Sequence, residues 1–507
     1  MGFKTGKNKG IKVPDTFVII FFVVVIASLL TYMVPKGHFE TEQITYTVDG
    51  AEKTRTVIKN GTFQYVQDEN GMPLKEGVKL FASDADGKPG FLNYMFEGFV
   101  TGDKYGSAIG VIAFILVIGG AFGIVLSTGA IEGGIMKMIS RFNGKEFILI
   151  PVLFILFSLG GAVFGMGEES IPFVMIVVPM VIAMGYDAVV GITITYVATQ
   201  IGFATSWMNP FSVAIAQGVS GIPVMSGANF RIFMWLVFNV ITIVFIMFYA
   251  SKIKKNPQAS VSYESDAFFR EDFEKTKNQN MDFGLGHKLI ILDLVLTMVW
   301  VIWGVTKQGY YIPEIATQFF TMGLVAGIIA VVFRLNDTDV NGIAKSFVNG
   351  AKDLLAPAMV VGMSQGIIFV LGGTDPTNGT VLNTILNSAA NSIANLSPSI
   401  SAWIMYIFQS VFNFFVVSGS GQAALTMPLM APLADLAGVT RQVAVLAFQL
   451  GDGLTNLIVP TSGLLMAVLG AARLDWGKWV KFQIKMQAVL FLVASIFVFA
   501  AVAINFA

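Results

Sequence analysis

Residues 156–185 read LFSLGGAVFGMGEESIPFVMIVVPMVIAMG, and the acids in the middle, Glu168 and Glu169, are the only charges between Glu146 and Asp187. Apolar runs of about 20 residues cross a bilayer as helices. A carboxylate at mid-membrane depth must be paired, hydrated or protonated. If the two apolar arms around GMGEES both crossed fully, the later basic loops would fall on the wrong side. The stretch is therefore expected to be a re-entrant hairpin, 147–185, with GMGEES at its tip. Ser170, followed by Pro172, reads as the cap of the second arm.

Composition frames the rest. The chain has 507 residues, 55% hydrophobic and 13% charged, with zero formal net charge and a mean hydropathy of +0.72. A soluble protein of this size needs far more charged surface, so the fold class is an all-α polytopic membrane protein embedded in a lipid bilayer. The short alternating segments of a membrane barrel do not appear. The absence of cysteine excludes disulfides and thiolate metal sites. Net neutrality gives no basis for a nucleic-acid partner.

Lys4, Lys7, Lys9 and Lys12 precede the apolar run FVIIFFVVVIASLLTYMV at 17–34. It is longer than the apolar part of a signal peptide and lacks a clear small-residue cleavage site. Residues 1–35 are thus expected to be a cytoplasmic N-terminus and a first membrane helix. Residues 36–107 form an extracytoplasmic loop. Its apolar/polar alternation around Asp49-Gly50 and Asn60-Gly61 predicts a small β-hairpin, and 90–106 reads as an interfacial helix. Further helices are expected near 108–128, 229–251, 288–307, 313–334, 354–372 and 487–507. A cytoplasmic linker, 252–287, and connecting helices, 288–353, separate two related regions.

The regions 108–251 and 354–507 repeat each other. GGAFGIVLSTG (119–129) matches GMSQGIIFVLG (362–372) at Gly119/Gly362 and Gly123/Gly366. GMGEESIPF at 165 pairs with GSGQAALTM at 419, and ATSWMNPF (204–211) with LTNLIVPT (454–461), aligning Thr205 with Thr455 and Pro210 with Pro460. Three weak matches in the same order make a repeat, the usual origin of transporter folds. Charge sets the orientation. Lys137, Arg141 and Lys145, Lys252, Lys254 and Lys255, Lys345 and Lys352, and Arg473, Lys478, Lys481 and Lys485 all fall inside only if 147–185 and 402–438 are hairpins. The repeats are then inverted, about nine helices span, and 188–218 and 441–470 are broken helices. Residues 373–400, which lack Lys and Arg, lie outside.

Interrupted helices leave backbone N–H and C=O groups free at mid-depth, which is tolerated where they line a site. N-terminal ends favour anions and C-terminal ends cations. The expected substrate site comprises Glu168, Glu169 and Ser170 of the first tip and Ser418, Ser420 and Gln422 of the second. Thr205, Ser206 and Asn209 join them from the first broken helix. Asp452, Thr455, Asn456, Thr461 and Ser462 come from the second, with Gly451 and Gly453 marking an unwound segment around Asp452. Gly419 and Gly421 are expected to permit the tight turn of the second tip. Arg231 and Arg441 lie at helix starts, where snorkelling is the default, so the site holds acids and no bases and suits a cationic group. His38 and His287, in or beside polar loops, leave no histidine relay or intramembrane Ser–His pair. SGSG at 418–421 is not a nucleophile elbow, so no enzyme is expected.

With GMGEESIPFVMIVVPMVIAMGYDAVVG, ATSWMNPFSVAIAQG and GDGLTNLIVPTSGLLMAVLG in view, the chain resembles the YfcC family of basic amino acid antiporters. That family is allied with DcuC-type C4-dicarboxylate carriers and AbgT-type transporters of the ion transporter superfamily. The resemblance covers essentially the whole chain. It implies nine spanning helices plus two opposed hairpins, and a homodimer with a scaffold domain and a moving transport domain. Related carriers have Ser-Asn-Thr-type tips, where this chain has Gly-Glu-Glu-Ser and Gly-Ser-Gly-Gln. The expected function is secondary active transport of an amino acid, most readily a basic one in arginine/ornithine-type exchange, across the bacterial inner membrane. The alternatives are a sodium-coupled C4-dicarboxylate carrier and, in another class, a channel. No organic cofactor is expected. A coupling ion is either a proton or sodium, the latter near Asn209, Asp452 and Thr455.

Overall fold

The computed structural model describes residues 15–507 except 49–50, 83–89, 106, 132, 135–136, 138–145, 210, 279–282 and 394–395. Lys4, Lys7, Lys9, Lys12, the Asp49-Gly50 turn, Arg141, Lys145 and Pro210 lie outside the described residues. The first helix, α1 (Thr16–Met33), is followed by strands β1 (Gly37–His38), β2 (Thr41–Val48), β3 (Ala51–Ile58) and β4 (Gln64–Tyr65). Strands β2 and β3 pair antiparallel from Thr41↔Ile58 to Val48↔Ala51, the hairpin that the alternation predicts. The short helix α2 (Tyr94–Val100) then leads into α3 (Ser107–Ser127).

Residues 147–185, the expected first hairpin, form α4 (Leu149–Phe164) and α5 (Ser170–Ala183). At about 1.5 Å per residue, an arm of 14 residues such as α5 is too short for the hydrocarbon core. The first broken helix is α6 (Ala188–Ala204), with a π-helical turn at Thr193–Val197, and α7 (Val213–Val219). Helix α8 (Ala228–Lys255) completes the unit. Between the units come α9 (Ala267–Asn278), α10 (Leu285–Trp303) and α11 (Ile312–Val332). The second unit runs α12 (Val340–Asp353), α13 (Leu355–Val370), α14 (Val381–Ile393), α15 (Pro398–Phe415), α16 (Gly419–Leu436), α17 (Arg441–Thr455), α18 (Gly463–Ala471) and α19 (Trp476–Ala503). Among the described residues, seven helices are long and apolar enough to cross a membrane by themselves, and α12 with α13 forms a pair bent by 43°.

The packing is reciprocal between the two units. Helix α12, which leads into α13, lies on α3, while α2, which leads into α3, lies on α13. The same exchange holds in the interior. The second hairpin arm α5 packs on α18, and its counterpart α16 packs on α7; the broken helices α6 and α17 cross each other. The glycines matched in the sequence serve these crossings. A Cβ at Gly123 would lie 2.4 Å from the Ser346 carbonyl oxygen of α12, and one at Gly98 of α2 would lie 2.1 Å from the Gly362 carbonyl oxygen of α13. Small residues let apolar helices approach to backbone contact, the main attraction available between helices in lipid.

The polar segments sort to two faces. Gly37 of β1 and Thr380 exchange backbone hydrogen bonds of 3.0 and 2.9 Å, which joins loop 36–107 to the segment before α14. On the other face, Lys478 pairs with Glu264 at 3.4 Å, and the Arg473 guanidinium lies 3.8 Å from the Phe268 ring centroid. Three elements were not anticipated in these segments. Helix α14 occupies what reads as a loop, α9 forms inside the linker, and α19 begins at Trp476 rather than near 487. Its first turns, with Lys478, Lys481 and Lys485, read as loop because polar residues there mask a helical period that continues into the apolar run.

The linker is anchored by two carboxylates. Asp187 Oδ1 accepts from the Val190 N–H at 2.9 Å and caps α6, while its Oδ2 accepts from the Tyr249 and Ser260 hydroxyls, both at 2.6 Å. Asp266 Oδ2 accepts from the Ser262 hydroxyl at 2.7 Å and the Ala188 N–H at 3.2 Å. Burial pushes the Asp266 carboxyl up to about 7, the charge of Asp187 adds to the rise, and Ser262, Ala188 and Arg270 oppose it. A carboxyl raised in the folded state binds its proton there at pH values where the unfolded chain has released it. Stability therefore falls as pH climbs from the ordinary carboxylate value toward 7 and levels off above it. Asp266→Asn removes that slope. The expected result is a wild-type advantage in unfolding midpoint over Asp266→Asn that shrinks from acid pH to neutrality, and a constant difference would refute it.

Candidate functional site

The two hairpin tips and the two helix breaks meet around a cavity of about 960 Å³. Helix α4 ends in Gly165, whose φ of 74° is the left-handed conformation of a helix C-cap. The chain then turns through Met166–Glu169 before α5 starts. Glu169 Oε2 accepts from the Gly167 N–H at 2.8 Å, so this carboxylate closes its own turn. Glu168 is half-buried and also lines the cavity. At the second tip Ser418 caps α16, its Oγ accepting from the Gly421 N–H at 3.2 Å. Ser462 caps α18 in the same way through the Leu465 N–H at 3.2 Å.

Of the residues singled out in the sequence, Glu168, Glu169, Ser418, Ser420, Asn456, Thr461 and Ser462 line the cavity. Gly419 and Gly421 line it too, and the other polar residues stand behind its wall. Ser170 is the first helical residue of α5 rather than its cap; the N-cap position belongs to Glu169, without a side-chain capping bond. The Ser170 hydroxyl is buried without a partner. Thr205 donates to the Ile201 carbonyl at 2.6 Å. Ser206 donates to the Ala162 carbonyl at 2.6 Å and Asn209 Nδ2 to the Gly161 carbonyl at 3.3 Å, stitching the first break to α4. Gln422 Nε2 donates to the Gln409 carbonyl and Oε1 at 2.9 and 2.7 Å, tying α16 to α15. The Thr455 carbonyl accepts from Ile458 and Val459 at the end of α17.

Asp452 needs a separate account. The segment around it is helical, within α17, and the break comes later, at 456–462. Gly451 and Gly453 are there for close packing: added Cβ atoms would lie 2.6 Å from Gln409 Cβ and 2.6 Å from Ala204 Cβ. Asp452 is fully buried; Oδ1 accepts from Asn456 Nδ2 at 3.2 Å, and Oδ2 has no partner. Nor do Gly419 and Gly421 adopt left-handed backbone. A Cβ on Gly419 would come within 2.8 Å of Asp452 Oδ2, so this glycine admits the carboxylate to the foot of the tip.

Two basic residues change the expected charge balance. Arg231 does not snorkel. It is fully buried, donating to Gln449 Oε1 at 3.0 Å, Gln442 Oε1 at 2.9 Å and the Ser226 carbonyl at 3.0 Å. Gln449 Nε2 in turn donates to the Ser206 carbonyl at 2.5 Å in the first break. Arg55 of β3 reaches the cavity itself and donates through Nη2 to the Ser420 carbonyl at 2.9 Å. His287 is buried in the first turn of α10 and stacked on Phe283 at 5.8 Å. Sequence reasoning also missed Asp375, Phe203, Gln200 and Tyr311, the last stacked on Phe211 at 5.4 Å. Tyr311 follows α10 in a short connection that gives no sign of where it will dock.

The family model described as "DcuC: C4-dicarboxylate anaerobic carrier" matches residues 13–503. The chain belongs to the DcuC family. It is a transporter and not an enzyme. A protein of Escherichia coli strain K12 named "Putative basic amino acid antiporter YfcC" is 51% identical over 488 residues, covering 96% of each chain. An uncharacterized protein of Haemophilus influenzae Rd is 29% identical over 97% of each. Among solved structures, the YdaH transporter of Alcanivorax borkumensis aligns at 13% identity with a TM-score of 0.38, over 97% of this chain and 99% of that one. MtrF of Neisseria gonorrhoeae, described as an antimetabolite efflux pump, aligns at 13% and 0.40, over 98% and 96%.

Proposed function

We propose that this transporter carries a basic amino acid across the bacterial inner membrane by alternating access, with 147–185 and 402–438 as opposed re-entrant hairpins. Nine spans follow if the broken helices count as one crossing each, with the N-terminus in the cytoplasm and a homodimer as the working unit. The observation that carries the substrate reading is the cavity's charge: Glu168, Glu169 and Asp375 face a single guanidinium, Arg55, among the described residues. A net-negative cavity favours a ligand with one more positive than negative group. The name of the Escherichia coli relative agrees with it. The cavity's lining reaches Val111 near the start of α3 and Thr374–Thr377, beside loop 36–107. Near the other end of α3, Phe268, Phe269 and Phe273 of the linker line a separate cavity of about 330 Å³ together with Met175 and Gly350.

The runner-up, a C4-dicarboxylate, rests on the family description and on the helix N-termini at both tips. Thermal stabilisation of the purified protein by arginine or lysine, set against succinate, with and without sodium, separates the two. Saturable counterflow in proteoliposomes separates a carrier from a channel.

The two tip acids are expected to differ. Glu168→Gln removes a charge facing the ligand, and a charge-assisted hydrogen bond is worth about 1.5–3 kcal/mol, so arginine uptake should drop at least about tenfold. Glu169→Gln keeps an oxygen for the Gly167 N–H and should fall less. Equal, near-normal uptake in Glu168→Gln refutes the cation-binding role.

A further inference from the structure

We infer that Arg55, on the extracytoplasmic β-hairpin, is a specificity-determining residue that reads the carboxylate of the transported ligand. The inference rests on the transport reading above and adds a recognition element from outside the repeats. The hairpin is docked on the substrate-bearing elements, with β3 against α16 and β2 against α7. In the register of the two strands, Arg55 stands opposite Ile44, and from there its guanidinium meets the second tip 365 residues along the chain.

Three observations converge on an anionic partner. First, among the described residues lining the cavity, Arg55 is the one that carries a positive charge. Second, its hydrogen bond is made to the Ser420 carbonyl, a neutral acceptor that engages one of five guanidinium donors. A guanidinium fork matches a carboxylate in a bidentate pair, which a lone carbonyl does not provide. Third, Ser420 belongs to the first turn of α16, an 18-residue helix whose N-terminal end lies at the cavity. A carboxylate placed there meets the helix end and the guanidinium together. The ligand's cationic end then faces Glu168 of the other tip, which reads both ends of an amino acid at once.

The test uses purified full-length protein and three probes: arginine, its decarboxylated counterpart agmatine, and succinate. The readout is the concentration giving half-maximal thermal stabilisation in wild type, Arg55→Gln and Arg55→Lys. The expected result is at least a tenfold weaker response to arginine in Arg55→Gln, a partial recovery in Arg55→Lys, and an agmatine response within twofold of wild type. If succinate rather than arginine stabilises wild type and that response is lost in Arg55→Gln, the basic amino acid reading fails and the role of Arg55 stands. An arginine response unchanged in Arg55→Gln overturns the inference. So does a parallel loss for arginine and agmatine, which would make Arg55 a strut that only holds the hairpin on the tip. Absence of stabilisation of wild type by arginine and by succinate also counts against it.

Discussion

Arg231→Met is expected to destabilise the folded protein by about 3 kcal/mol, because it strands one buried acceptor and weakens two more around a fully buried side chain. Methionine fills most of the volume but offers no donor. Gln449 Oε1 loses its 3.0 Å partner, the Ser226 carbonyl its 3.0 Å partner, and Gln442 Oε1 its 2.9 Å partner. Gln217 Nε2 still donates to Gln442 Oε1 at 3.3 Å and to the Ser226 carbonyl at 2.9 Å, so the loss is complete only at Gln449 Oε1. A buried acceptor left unpaired costs about 1–3 kcal/mol, and the two weakened acceptors of the same network add to it only in part. The damage should also be felt at the transport core, because Gln449 links this network to the Ser206 carbonyl in the first helix break. Arg231→Lys is expected to recover only part of the loss, since one ammonium does not span acceptors on α17 and the loop before α8. Thermal unfolding in detergent checks this; a midpoint equal to wild type in Arg231→Met would mean that water replaces the guanidinium.

The helices and the breaks between them were legible because each rests on local signals. Glycine, proline and acid residues interrupt apolar runs long enough to be unmistakable. The β-hairpin was legible for the same reason, through alternation around turn residues. Side-chain partners were not. The polar residues near the breaks read as one cluster, yet Ser206 and Asn209 bond to backbone of α4 and Gln422 to backbone of α15, behind the cavity wall. Sequence spacing places a residue near a break but does not say which side of the wall it faces. Gly451 and Gly453 misled in the same way, since a glycine required for backbone contact between helices looks identical to one that unwinds a helix. Arg231 read as an interfacial residue because its position at a helix start is the commonest place to snorkel. Its real partners, Gln442 and Gln449, lie seven residues apart on one face of α17, a polar stripe that was visible but had no assigned counterpart. Arg55 had no local signal at all, because its meaning comes from where the hairpin docks.

Asp452→Asn is expected to abolish the dependence of ligand binding on the coupling cation. The carboxylate is fully buried, Oδ2 has no partner, and no basic side chain pairs with it among the described residues. Beside it, Asn413 Nδ2 donates to the Asp452 carbonyl at 3.1 Å and to Asn456 Oδ1 at 2.8 Å, while Asn413 Oδ1 is itself buried without a partner. Orphaned acceptors in a dry site are costly unless a proton or a bound cation satisfies them. This donor set of one carboxylate with neutral oxygens fits a hard monovalent ion. Asn456 also lines the cavity, so occupancy of this site is connected to the ligand through one side chain. We therefore propose Asp452 for the coupling ion and Glu168 for the ligand's positive end. In wild type, the arginine concentration giving half-maximal stabilisation should shift at least tenfold between sodium and a sodium-free medium, or between acid and alkaline pH if the ion is a proton. In Asp452→Asn the response should be flat. Gly419→Ala should weaken the same dependence, because its Cβ would come 2.8 Å from Asp452 Oδ2 and 2.9 Å from Phe203 Cζ and push the tip off the site. A folded Asp452→Asn protein that keeps the full shift would exclude Asp452 from the ion path.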